Sequence, residues 1–141
     1  MKNIVYLLTI SILLTLGISA CGNQLTKMDI QLENNGETYE TGDFSRYRVL
    51  LTDENGNPAS AEEVSIYINM ERMNHPMEGI MNETKTGTYE IDLPLAMEGE
   101  WYIIVNAYIG KEEREEKFTV YGKGEMVMEY MQGFNADEKA D

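Results

Sequence analysis

Apolar and polar residues alternate with a period of two through most of the chain, from residue 28 to residue 120. In the clearest run, Val64, Ile66, Ile68 and Met70 fall on one side, and the polar or amphipathic residues between them fall on the other. Successive side chains of a strand point to opposite faces, so this pattern predicts half-buried β-strands. No helical period competes with it in this region. The chain is therefore expected to be all-β.

Turn signals divide the alternating region at regular intervals. They include DENGNP at residues 53–58, KTG at 85–87 and EGE at 98–100. Asn-Gly is a strong turn signal because both residues tolerate positive φ. About seven strands result, at the spacing typical of a sandwich. We predict an immunoglobulin-like antiparallel β-sandwich over residues 27–122, with Trp101 in its core rather than on a sugar-binding platform.

The N-terminus carries the features of an export signal. Lys2 is followed by an apolar run from Ile4 to Ile18 and then by Ser19-Ala20-Cys21. This ending resembles the bacterial lipobox, in which the cysteine is diacylated, for example with palmitate, and becomes the mature N-terminus. We predict a cleaved lipoprotein signal peptide at residues 1–20 and a lipidated tether at 21–26. The protein is then expected on the extracytoplasmic face of the cell membrane, attached through Cys21.

The C-terminal residues 123–141 follow a different pattern. Val127, Tyr130, Met131 and Phe134 are spaced i, i+3, i+4, i+7, which is typical of a short amphipathic helix. Residues 135–141 are polar and favour disorder. The sequence leaves open whether this tail packs on the sandwich or frays.

Charge and residue counts exclude several functions. The net charge is −14 at pH 7, which argues against nucleic acid as a partner. The chain has one histidine and one cysteine, and Cys21 is assigned to lipid, so most nucleophilic triads are excluded. A four-ligand zinc site is disfavoured for the same reason. We expect a protein that is not an enzyme.

One segment concentrates soft metal ligands. Residues 70–81 contain Met70, Met73, Met77 and Met81 together with His75, the chain's single histidine. Thioether sulfur suits Cu(I), and imidazole binds either oxidation state of copper. Pro76 favours an extended conformation at His75, which would place Met73, His75 and Met77 on one side, about 6.6 Å apart. Met70 and Met81 are further candidate ligands. The alternative is that these methionines fill gaps in the core.

Four motifs occur in an order that resembles a known family. DENGNP at 53–58 precedes MERMNH at 70–75, followed by GTYE at 87–90 and LAMEGEW at 95–101. The arrangement resembles the YtkA-like domain, related to the FixH proteins of bacterial membranes. The resemblance implies copper handling or oxidase maturation, with Met70, Met73 and His75 at the matching positions. A membrane oxidase or transporter is the implied partner. The alternative is an immunoglobulin-like interaction module without metal.

Overall fold

The computed structural model describes residues 27–138, which form ten β-strands in two sheets. The strands are β1 (Asp29–Leu32), β2 (Thr38–Glu40), β3 (Ser45–Thr52), β4 (Glu63–Asn69), β5 (Met77–Ile80), β6 (Asn82–Lys85), β7 (Thr88–Leu93), β8 (Gly99–Ile109), β9 (Glu112–Lys123) and β10 (Phe134–Asn135). The described part contains no α-helix. The predicted signal peptide, tether and Cys21 lie outside the described residues.

The two sheets face each other as a sandwich. The smaller sheet has the order β1-β3-β7-β6, and the larger has the order β10-β5-β4-β8-β9-β2. Most neighbours are antiparallel, and the longest ladder joins β8 to β9. The two outermost pairs of the larger sheet, β2 with β9 and β10 with β5, are parallel. The predicted all-β sandwich is confirmed, with parallel pairing at both edges of this sheet.

Three strands were not predicted: β2, β5 and β10. β2 has three residues and β10 has two, too few for an alternating pattern to emerge. β5 does alternate, but its inward positions are Met77 and Gly79, and its last residue, Ile80, is apolar and exposed. Because the exposed residue is an isoleucine and an inward residue is a glycine, the sequence of β5 shows no clear alternation of apolar and polar residues.

Inward-facing residues of both sheets form one hydrophobic core. Its largest fully buried side chains include Trp101, Tyr47, Met77 and Leu51. Trp101 therefore lies in the core, as its place on the alternating face of β8 predicts. Its indole Nε1 donates to the Met97 carbonyl at 3.1 Å. The one polar group of this buried side chain therefore has a hydrogen-bond partner.

The outer face of the smaller sheet carries paired charges. Arg46 forms a bidentate pair with Asp92 at 2.9 and 3.0 Å, and Arg48 binds Glu90 at 2.6 Å and Glu33 at 3.0 Å. Hydrogen bonds from the Arg46 guanidinium lower the pKa of Asp92. These are cross-strand pairs on an exposed surface, so they account for much of the charge on this face without a binding role.

The amphipathic helix predicted near the C-terminus is absent. Residues 125–137, here called the C-terminal strap, instead make one 3-10 turn at Met128–Tyr130 and the short strand β10. The apolar side chains of Tyr130, Met131 and Phe134 still pack against the core. The spacing therefore predicted three residues that become partly buried, but pairing of β10 with β5 favours an extended chain over a second helical turn. No helix within residues 27–138 is long and apolar enough to cross a bilayer.

Candidate functional site at the methionine-rich end

The loop between β4 and β5, residues 70–76, carries Met70, Met73 and His75 and is called the His75 loop. It turns at Arg72, whose φ is +62°, and the Met73 amide donates to the Met70 carbonyl at 3.3 Å. The Asn69 side chain forms hydrogen bonds with the backbone of the loop. Its Oδ1 accepts from the amides of Met70 at 2.9 Å and His75 at 3.1 Å, and its Nδ2 donates to the Tyr67 hydroxyl. One buried amide group thus fixes both ends of the turn.

Asn69→Ala is expected to destabilise the domain by about 1–3 kcal/mol, because two partly buried amides lose their acceptor. Asn74→Ala is the matched control, since Asn74 is an exposed residue of the same loop. Urea unfolding and amide exchange at His75 measure both effects. Equal stability of the two variants would refute the supporting role of Asn69.

The His75 ring is held in one orientation by the strap. Its Nδ1 lies 2.7 Å from the carbonyl oxygen of Met131. A carbonyl only accepts hydrogen bonds, so Nδ1 must carry the proton. In the neutral ring this leaves Nε2 with a free lone pair, which is the form that binds a metal. The side chain is half-buried and therefore still reachable from solvent.

The five predicted ligands do not come together as one group. Met77 is 0% exposed and Met81 is 4% exposed, whereas Met73 is 46% exposed and Met70 is half-buried against the core. Met77 begins β5 opposite Ile68, with its side chain inward. Met81 lies four residues further on, about 13 Å away along an extended chain. Apolar side chains on the inward face of a strand gain more by joining the core than by facing solvent. Met73 and His75 remain as the accessible donors of the predicted set.

The strap brings in methionines that sequence reasoning did not connect with His75. Strand register places the end of β4, the starts of β5 and β8 and the end of β9 at one end of the sandwich. The strap leaves β9 at this end, and its Val127 amide donates to the Ala96 carbonyl at 2.7 Å. We call this region the methionine-rich end; its accessible or partly accessible members are Met70, Met73, His75, Met97, Met126, Met128 and Met131.

Three thioethers at this end are open to solvent. Met73 is 46%, Met126 51% and Met128 72% exposed. In the 3-10 turn the Met131 amide donates to the Met128 carbonyl at 3.3 Å. Met128 therefore lies one turn before the residue whose carbonyl holds His75.

An aromatic cluster anchors the strap beside these residues. Phe44, Tyr130 and Phe134 pack edge to face, with ring centroids 5.3 to 6.0 Å apart. Burial and the Glu129 carboxylate raise the pKa of Tyr130, so its phenol stays protonated at neutral pH. Such pairs contribute about 0.5–1.5 kcal/mol each beyond area burial. The strap is thereby fixed on both sides of Met131.

The donor types at this end suit a soft cation. Within residues 27–138 no three His, Cys, Asp or Glu side chains are grouped as a metal site would require. The donors available are thioethers and one imidazole nitrogen, which favour copper over magnesium, calcium or structural zinc. The exposed carboxylates of Glu71, Glu98, Glu125 and Glu129 surround this end and attract cations to it.

Comparison with known proteins relates the chain to one family. Residues 22–106 match the profile of the family described as YtkA-like. No curated protein matches the chain. A solved endo-β-1,4-mannanase from Thermotoga petrophila is similar over 74% of this chain and 22% of that chain, at 12% identity and a TM-score of 0.53. An engineered protein is similar over 70% of this chain and 20% of that one, at 5% identity and a TM-score of 0.51. The chain spans about a fifth of their length, and these likenesses concern the fold alone.

Proposed function

Because this chain belongs to the YtkA-like family, we propose that it is a membrane-anchored extracytoplasmic lipoprotein that binds copper at its methionine-rich end and delivers it to a membrane protein. The role is non-enzymatic. The observation that carries the copper site is the 2.7 Å contact between His75 Nδ1 and the Met131 carbonyl, because it leaves Nε2 free as a ligand.

The proposed anchor is a lipid on Cys21. Ser19 and Ala20 precede this cysteine and an apolar run precedes them, as in lipobox sequences. A diacylglyceryl group gives the two acyl chains that stable membrane attachment requires. Labelling of the expressed protein with a palmitate analogue, compared with a Cys21→Ser variant, tests this anchor.

The proposed copper ligands are His75 and Met73, the accessible pair of the His75 loop. Methionine forms no disulfide and needs no deprotonation, so it serves as a copper ligand in an oxidising compartment. Copper, when bound, is cargo that this chain holds for a membrane oxidase or transporter. The acidic surroundings of the site raise the local concentration of the cation.

His75→Ala combined with Met73→Leu is expected to weaken Cu(I) binding by tenfold or more, because both accessible donors are lost. Titration of the soluble domain, residues 27–141, against a chromogenic chelator measures the affinity. Met81→Leu is the matched control, since its thioether is buried and its loss should leave the affinity unchanged. Failure of the native domain to retain Cu(I), or equal retention by the double variant, would contradict the proposal.

The second candidate is an interaction module that needs no metal. Phe44, Met73, Met126 and Met128 are large, exposed and apolar at one end of the sandwich, and methionine-rich surfaces adapt to protein partners. Capture of a membrane protein from copper-depleted cells, abolished by Met128→Glu, would favour this candidate over copper delivery.

A further inference from the structure

The C-terminal strap closes the outer edge of the larger sheet by backbone hydrogen bonds. The Phe134 amide donates to the Pro76 carbonyl at 2.8 Å, and the Ala136 amide donates to the Glu78 carbonyl at 2.9 Å. The Asp137 carboxylate accepts from the Ile80 amide at 2.8 Å. The strap is thus paired with the same segment that carries His75.

Two glycines make room for the strap. A Cβ on Gly79 would lie 2.9 Å from Ala136 Cβ and 2.7 Å from Ile91 Cδ1. A Cβ on Gly133, whose φ is +96°, would lie 2.7 Å from the Pro76 carbonyl oxygen. All three distances are shorter than a Cβ atom tolerates, so the strap packs this closely on β5 only because these positions lack side chains.

We infer that the strap is coupled to the copper site: copper bound to His75 locks the strap onto β5 through the contact of His75 with the Met131 carbonyl. This inference rests on the proposed function. The observation behind this coupling is the 2.7 Å hydrogen bond from His75 Nδ1 to the Met131 carbonyl, which joins the His75 loop to the strap.

Copper binding and strap docking are coupled because they use the two nitrogens of the same His75 ring: Nε2 for the metal and Nδ1 for the Met131 carbonyl. A cation on Nε2 withdraws electron density from the imidazole, and the Nδ1–H group becomes a stronger donor to the Met131 carbonyl. Copper therefore stabilises the docked strap. By linkage the docked strap strengthens copper binding by the same factor, which is 5- to 150-fold for typical couplings.

Hydrogen exchange of the soluble domain, with and without Cu(I), tests the locking. Saturating Cu(I) is expected to slow exchange of the Phe134 and Ala136 amides by about fivefold or more, and to leave these amides unchanged in His75→Ala. Equal exchange rates in the native domain at saturation would overturn the inference. They would leave the proposed function intact, since saturation itself is established by the chelator titration.

Gly133→Ala tests the reverse direction, from strap to metal. It is expected to weaken Cu(I) binding at least fivefold, because the new Cβ meets the Pro76 carbonyl and lifts the strap. Gly36→Ala is the matched control: its φ of +84° is near the +96° of Gly133, but nothing lies within 4 Å of its Cβ. Circular dichroism establishes that both variants are folded. Equal affinities of the two variants would refute the coupling. No retention of Cu(I) by the native domain would instead refute the proposed function.

Discussion

Trp101→Ala is expected to destabilise the domain by about 3–5 kcal/mol, because a methyl group replaces a large buried indole. Trp101 is the largest fully buried side chain and lies in the core face of β8. Its loss leaves a cavity between the sheets, and the Met97 carbonyl loses the Nε1 donor at 3.1 Å. Met97 belongs to the loop that meets the strap, so the methionine-rich end should loosen as well.

Urea unfolding followed by far-ultraviolet circular dichroism measures this effect, because the variant has no tryptophan left for fluorescence. Tyr121→Ala is the control. Tyr121 lies on the neighbouring strand β9, and its side chain is outward and exposed, so a loss of about 1 kcal/mol or less is expected. A Trp101→Ala variant as stable as Tyr121→Ala would show that the indole does not fill the core as described.

Gly87→Ala is the second substitution with a large expected effect. Gly87 occupies the turn between β6 and β7 with a φ of +73°, which an alanine adopts at a cost of about 1–2 kcal/mol. Its new Cβ would lie 2.6 Å from the Leu51 carbonyl oxygen and 2.9 Å from the Ala59 amide nitrogen. Both atoms are backbone and cannot rotate away, so overpacking adds about 1–3 kcal/mol.

Gly56→Ala separates these two costs. Gly56 has a nearly equal φ of +79°, but nothing lies within 4 Å of its Cβ. The difference in unfolding free energy between the two alanine variants therefore measures the crowding of the Gly87 Cβ against the Leu51 and Ala59 backbone, and about 1–3 kcal/mol is expected. Identical destabilisation would mean that β3 moves away from the turn at no cost.

Much of the fold follows from local sequence. The alternation in β3, β4, β7, β8 and β9 predicts strands because one face of each must be buried, and turn residues fix where each strand stops. The short strands β2 and β10 could not be predicted in this way. Their backbones become strands only because β9 and β5 offer free edges to pair with.

About half of the candidate site could be predicted from the sequence. Met73 and His75 stand out because soft ligands and the single histidine cluster there, and the structure leaves both partly accessible. Met77 and Met81 belong to the same predicted set but are buried, which the sequence does not reveal because an inward strand position and a ligand position look alike when the residue is methionine. Burial, rather than residue type, distinguishes a core methionine from a candidate ligand.

Local sequence predicts which residues of the longer strands face the core, since that depends on a local period and on the free energy of burying apolar area. The contact between the strap and the His75 loop depends on the complete fold, because it joins residues 56 positions apart. No local sequence pattern predicts a contact between residues so far apart in the chain. It arises when the registers of β4, β5, β8 and β9 bring their ends together, and register is set by pairing across the whole sheet.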